Sequence, residues 1–218
     1  MDTERDMAWA HRTADLYNER YYEYGRSTGY SWYDNYKWEP KRSHREADAF
    51  IDFFGIEKWE PCVDFGCAKG FFVRAMVEQK YDCYGIDISA YARAAADPLV
   101  RDRLFSPAAF PHHCEFGFSK DVLEHVPYED IDAVLEYLAS IADWWMLVVP
   151  LARDRKYLCA DYELETTHII REDAPWWIER VQRVMEITGA ALWVLGIKDK
   201  WFPVHPMGNL VLTAYSKA

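Results

Sequence analysis

Asp64, Gly66 and Gly70, answered by Asp87, are the residues of this chain whose types and spacing could do chemistry. A short apolar run ends in Asp64, the two glycines follow four residues apart, and Phe71 to Val77 then reads as helix. Gly66 and Gly70, with Cys67 and the small Ala68 between them, let the backbone bend sharply and let a ligand lie against bare main chain. The first turn of the helix leaves N–H groups pointing outward, where a carboxylate or phosphate can be held. The run Tyr81 to Ile88 reads as a second strand, with Asp87, seventeen residues after Gly70, near its end. An acid there can take both hydroxyls of a ribose. Farther along stand Asp121, Glu124, His125 and His168. Histidine titrates near neutrality and suits proton transfer. The four are also donor types used by magnesium or zinc sites, although Asp121 and Glu124 equally serve as acids at a helix start.

The elements that must position these residues follow from the hydrophobic pattern. Residues 4 to about 24 read as a polar helix ahead of the core, and Gly25 to Trp38 as an aromatic loop. Ala47, Phe50, Ile51 and Phe54 recur at helical spacing up to Gly55. Strands are expected at 59–65, 81–88, 103–105, 114–118 and 144–149, with helices at 69–79, 89–96 and 127–142. Ser89 suits the cap of the second of these helices. After a long polar connection a helix is predicted from Ala174-Pro175 to Gly189, and then an antiparallel pair at 190–197 and 209–215. Alternating strands and helices predict an α/β fold, a mostly parallel sheet with helices on both faces and ligands at the C-terminal strand ends.

Composition bounds the rest. The 218 residues, half of them apolar, suffice for one domain, read as N-terminal helices and a possible lid over 1–55 and the core over 56–218. The net charge is −11 and no run of five Lys or Arg occurs, which disfavours a nucleic acid partner. Five cysteines with no Cys-x-x-Cys pair argue against a disulfide framework or structural zinc and fit buried thiols in a reducing, cytoplasmic compartment. The polar start is unlike a signal peptide, and no apolar run is long enough for a membrane span.

Asp64-Phe65-Gly66-Cys67-Ala68-Lys69-Gly70 resembles the first motif of class I S-adenosylmethionine-dependent methyltransferases, and Gly85 to Ser89 resembles their second. Ser119 to Val126 is similar to the segment those enzymes carry after the fourth strand. The resemblance covers roughly residues 60 to 150. It implies a Rossmann-like seven-stranded sheet with an antiparallel last strand, S-adenosyl-L-methionine as cofactor and S-adenosyl-L-homocysteine as product. Cofactor contacts carried over from it are Asp64, Gly66, Cys67, Ala68, Gly70, Asp87, Ile88 and Asp121. The family often meets the adenine with an acid after the third strand, where Ser106 and Pro107 stand here. Because a sulfonium is a cation and aromatic faces attract cations, Tyr30, Trp32 and Tyr33 become candidates for a lid, the alternative being rings packed on the core.

Methyl transfer is an in-line displacement, so alignment does much of the work. A base is needed only when the acceptor loses a proton, and His168 and His125 are the candidates, His168 lying in a segment that resembles an acceptor-facing one. The expected partner is a small-molecule acceptor, a sugar or secondary metabolite methylated on oxygen, and no metal is expected. N-methylation of a small amine and a non-catalytic binding module remain as alternatives. A nicotinamide-dependent oxidoreductase is disfavoured, because its Tyr-x-x-x-Lys pair should follow the glycine loop, whereas Tyr33 and Lys37 precede it.

Overall fold

The computed structural model describes residues 7–192, 197 and 208–217. In chain order the strands are β1 Cys62–Phe65, β2 Cys83–Ile86, β3 Leu104–Phe105, β4 Cys114–Lys120, β5 Ala142–Pro150, β6 Ala152–Arg153, β7 Lys156–Tyr157, β8 Met185–Ala191 and β9 Asn209–Ser216. Seven form one sheet in the order β3-β2-β1-β4-β5-β9-β8, while β6 and β7 make a separate hairpin. The first five sheet strands run parallel, and β9 lies antiparallel to both β5 and β8. This is the expected Rossmann-like arrangement.

Every residue of β1 is buried, as a strand covered on both faces requires. Val63 and Phe65 enter one core with Leu135, Leu138 and Trp177, from helices Ile131–Ile141 and Ala174–Gln182. Cys62 enters the opposite core with Phe50 and Phe72, from helices Pro40–Phe54 and Phe71–Glu78. There Phe72 stacks on Phe118 of β4 at 4.4 Å between centroids. Because β1, β2 and β4 are parallel, Phe65, Ile86 and Lys120 all end on one edge of the sheet, the edge on which such folds bind ligands.

Several expectations are corrected. The N-terminal segment is not one helix: Ala8–Arg12 and Glu19–Glu23 are short helices separated by a 3-10 turn, Ala14–Leu16. Asn18 caps the second by accepting from the Tyr21 N–H, and the break turns Tyr17, Tyr21 and Tyr22 into the interior. Residues 1–6 lie outside the described residues. β4 continues two residues beyond the expected end, so Ser119 and Lys120 are strand and Asp121 leaves it with φ +58°. The last helix stops at Gln182, and β8 begins at Met185, well before the expected strand at 190. Gly189 does not end a helix, for it sits at a register shift where β8 meets β9. The expected strand over 190–197 is described only to Leu192 and at Ile197.

Candidate active site

The loop after β1 has the backbone the glycine spacing implies. Gly66 has φ +81°, Ala68 +50° and Gly70 +73°, values that suit glycine and that Ala68 adopts as a non-glycine exception. Asp87, just beyond β2, holds this loop in place: its Oδ2 accepts from the Ala68 N–H and its Oδ1 from the Ser89 N–H, each at 2.7 Å. Burial raises the Asp87 carboxyl pKa, and the two N–H groups oppose that rise. Asp64 is also buried, which pushes its carboxyl up to about 8 against the opposing charge of Lys120. Lys120 Nζ in turn stands 3.3 Å from Asp121 Oδ2 and 3.5 Å from Glu46 Oε1.

Three adjoining cavities open above this edge. The first, about 750 Å³, runs along Gly66, Ala68, Asp87 and Ile88 and is walled by Trp9 and Tyr17. The second, about 1340 Å³, reaches Asp64, Cys67, Arg42 and Lys120. The third, about 660 Å³, is bounded by Trp32, Asp161, Tyr162, Glu165 and His168. Tyr33 and Asp121 border all three, and His125 borders the first and the third.

The aromatic segment is both a core element and a wall. Tyr33 packs at 4.7 Å on Tyr36 and 5.5 Å on Tyr21, within a cluster that also holds Tyr17, Tyr22 and Tyr91. Trp32 donates its backbone N–H to Glu165 Oε2 at 2.7 Å while its ring carries the Arg26 guanidinium at 4.8 Å. Tyr30 borders none of the three cavities and lies at the outside of the cluster, its hydroxyl donating to the Leu16 carbonyl at 3.2 Å. Gly70 likewise stands back from them, leaving room for Leu104, whose Cδ1 would be 2.9 Å from an added Cβ. Nothing from 97–113, Ser106 and Pro107 included, lines these cavities.

The imidazoles meet at the third cavity. Their centroids are 4.6 Å apart. His168 Nδ1 lies 2.9 Å from the Tyr162 carbonyl, which can only accept, so that nitrogen carries a proton. Its Nε2 faces Glu124 Oε1 at 3.8 Å. The Thr167 hydroxyl donates to Glu165 Oε1 at 2.8 Å, and Thr167 Oγ1 itself is 2.9 Å from His125 Nδ1. With its one proton directed at a carboxylate, Thr167 Oγ1 accepts from His125 Nδ1–H, and His125 Nε2 is left as a lone-pair acceptor. Burial, reinforced by His168, lowers the His125 pKa to about 3, against a hydrogen bond from the ring to the Thr167 backbone and the charge of Asp121. The ring is therefore neutral at physiological pH.

Glu124, His125 and His168 each bring one donor atom within 4.8 Å of the others. Ligand atoms of one tetrahedral ion sit roughly 3 to 3.5 Å apart, so a metal would draw these groups inward. The separation of His168 Nε2 from Glu124 Oε1 already lies within the range of a direct contact between the two side chains. Sequence reasoning missed the partners that fix these rings. Tyr162 spans the site, donating to Asp121 Oδ1 and accepting from Asn209 Nδ2, both at 2.8 Å, and an aromatic residue within an otherwise polar connection was its only trace.

The first cavity fits a nucleoside-bearing cofactor: a buried carboxylate faces it, the loop backbone is bare, and Ile86, Ile88 and Phe65 offer an apolar face. An added Cβ at Gly66 would come within 2.2 Å of Val122 Cγ2, so the close approach of loop and strand end depends on that glycine.

A family model described as a methyltransferase domain matches residues 39–191. No curated protein sequence matches the chain. Among solved structures, magnesium protoporphyrin IX methyltransferase from Synechocystis with bound S-adenosylhomocysteine is 16% identical over 82% of this chain and 85% of that one, with TM-score 0.59. The 1,6-didemethyltoxoflavin-N1-methyltransferase of Burkholderia thailandensis is 12% identical over 83% and 80%, with TM-score 0.58. The [4+2]-cyclase SpnF, 12% identical, covers 99% of this chain and 96% of its own at TM-score 0.59, so the shared fold alone does not fix the chemistry. Among the described residues no helix is long and apolar enough to cross a membrane.

Proposed function

The chain belongs to the methyltransferase domain family, and we propose that it moves the methyl group of S-adenosyl-L-methionine to a hydroxyl of a small-molecule acceptor such as a sugar or secondary metabolite. The observation that carries this reading is the meeting of the cavity along the glycine loop with the polar, aromatic third cavity at Tyr33 and Asp121, with His125 on both. When bound, the cofactor supplies a methyl group activated by a cationic sulfur. Asp87 would take the ribose hydroxyls through the lone pairs its two backbone contacts leave available. Gly66 and Ala68 would hold the loop backbone close to it, Ile88 would face the base, and Asp64 and Asp121 would face the amino-acid end.

The residues of the third cavity would align the acceptor oxygen with the methyl carbon, and that alignment accounts for much of the acceleration. As the oxygen gains the methyl group its proton becomes strongly acidic, so a weak base held neutral is sufficient to receive it. His125 Nε2 fits that role. His168, the other candidate from the sequence, would support the ring from the Glu124 side.

Calorimetric titration with S-adenosylmethionine and with nicotinamide dinucleotides tests the cofactor. Incubation with methyl-labelled donor and a metabolite extract, followed by mass spectrometry, tests the acceptor. Donor binding with label on oxygen is expected. Label on nitrogen would move the reading to an amine acceptor, which needs no base, and failure to bind the donor would overturn it.

A further inference from the structure

Glu165 makes three hydrogen bonds whose directions leave little freedom. It is buried and lies between the aromatic segment and the imidazoles. Oε2 accepts the Trp32 N–H, while Oε1 accepts the Thr167 hydroxyl at 2.8 Å and the Thr167 N–H at 3.3 Å. All three donors converge on one carboxylate, which can only accept. The Thr167 proton is thus directed away from His125, and Thr167 Oγ1 is left to receive the His125 Nδ1–H. The same side chain anchors the segment that carries Tyr33 into all three cavities. Thr166 adds a second tie, its hydroxyl donating to the Tyr30 carbonyl.

We propose that Glu165 is a positioning residue that sets the His125 tautomer through Thr167 and, through the Trp32 N–H, ties that tautomer to the docked state of the aromatic segment. The proposal rests on His125 as proton acceptor. No group is transferred at Glu165; it fixes where two protons reside. The device is chemically economical, because one carboxylate both closes the wall around the acceptor and turns the accepting nitrogen of His125 away from Thr167. An amide at position 165 cannot do both. With one carbonyl oxygen and one NH₂, it satisfies either Trp32 or Thr167 and opposes the other. When the NH₂ faces Thr167, the hydroxyl is released to donate to His125 Nδ1, and the proton of the neutral ring moves to Nε2.

The test uses the full chain labelled with ¹⁵N, long-range ¹H–¹⁵N correlation of the imidazoles, and assignment through His125→Ala. The parent should show His125 protonated at Nδ1. Glu165→Gln should give a shifted or mixed tautomer, or faster exchange of the Trp32 amide, with kcat reduced roughly 10²-fold or more, the scale on which a mis-set imidazole tautomer acts. Thr167→Val should also disturb the tautomer, and Thr167→Ser should restore it. An unchanged His125 spectrum and Trp32 exchange in both Glu165→Gln and Thr167→Val would overturn the proposal. Its failure is distinguishable from failure of the base assignment: a tautomer that responds to Glu165 while His125→Ala keeps full turnover refutes the base and leaves the positioning role intact.

Discussion

Gly66→Ala is the most direct probe of the loop that organises the site. Gly66 has φ +81°. A residue with a Cβ in the left-handed region loses roughly 1 to 2 kcal/mol. The new carbon would also stand 2.2 Å from Val122 Cγ2 and 2.7 Å from Cγ1, distances at which Val122 must move. Overpacking of that kind costs roughly 1 to 3 kcal/mol, so the donor-free protein should lose about 2 to 5 kcal/mol in all. The two contributions are separable. Val122→Ala in the Gly66→Ala background removes both methyl collisions, leaving only Val122 Cβ at 3.0 Å and the backbone strain, so the pair should show a favourable coupling of about 1 to 3 kcal/mol in a double-mutant cycle. Urea denaturation measures both, and calorimetric titration with S-adenosylmethionine reports whether the displaced Val122 closes the first cavity. If Gly66→Ala is destabilised by less than about 1 kcal/mol, or if Val122→Ala returns none of the loss, the loop is not held as argued.

Asp87→Asn should weaken donor binding by roughly 1 to 3 kcal/mol, because a charge-assisted acceptor becomes a neutral amide; unchanged affinity by calorimetry would remove Asp87 from the site. His125→Ala should lower turnover roughly 10²- to 10⁴-fold with donor binding largely retained, and His168→Ala should cost less, the reverse order in steady-state kinetics exchanging their roles. For Asp64, the folded carboxyl near 8 lies above its ordinary value of 3.8, so the folded state holds a proton that the unfolded state has already released between those limits. Stability contributed there falls as pH rises toward 8, and Asp64→Asn should gain on the parent over that interval. Denaturation at several pH values checks this, a pH-independent difference between the two proteins counting against it.

The parts of the fold legible in the sequence were those whose signal is local. Asp64, Gly66, Gly70 and the helix Phe71–Glu78 belong to one strand-turn-helix unit, and Ser89 caps the helix Ala90–Ala94 as its position implies. Asp87 was legible as the acid after β2, but its second duty, holding Ala68, depends on β1 and β2 pairing side by side. The helix from Ala174 stops short of its expected end because Ile187 pairs with Ala214 of β9, a partner far along the chain that no local pattern announces. The network Glu165–Thr167–His125 spans forty residues and leaves no periodic trace. Tyr17, Tyr21 and Tyr22 fall within the expected polar helix for a related reason: a 3-10 turn and a short helix that direct their rings inward look polar when read residue by residue.

The place of β9 has a consequence for how this chain comes off a ribosome. Residues 209–216 follow β8 in sequence but lie between β5 and β8 in the sheet. Until they emerge, β5 exposes the backbone from Trp144 to Pro150 along one side, and β8 has no neighbour to join. A nascent chain stalled near residue 200 therefore carries a finished glycine loop beside an open, apolar strand edge, the kind of surface that recruits chaperones or other unfinished chains. Slowing translation just before residue 209 should lengthen that exposure, and speeding it should shorten the interval in which the half-built sheet can pair with the wrong strand.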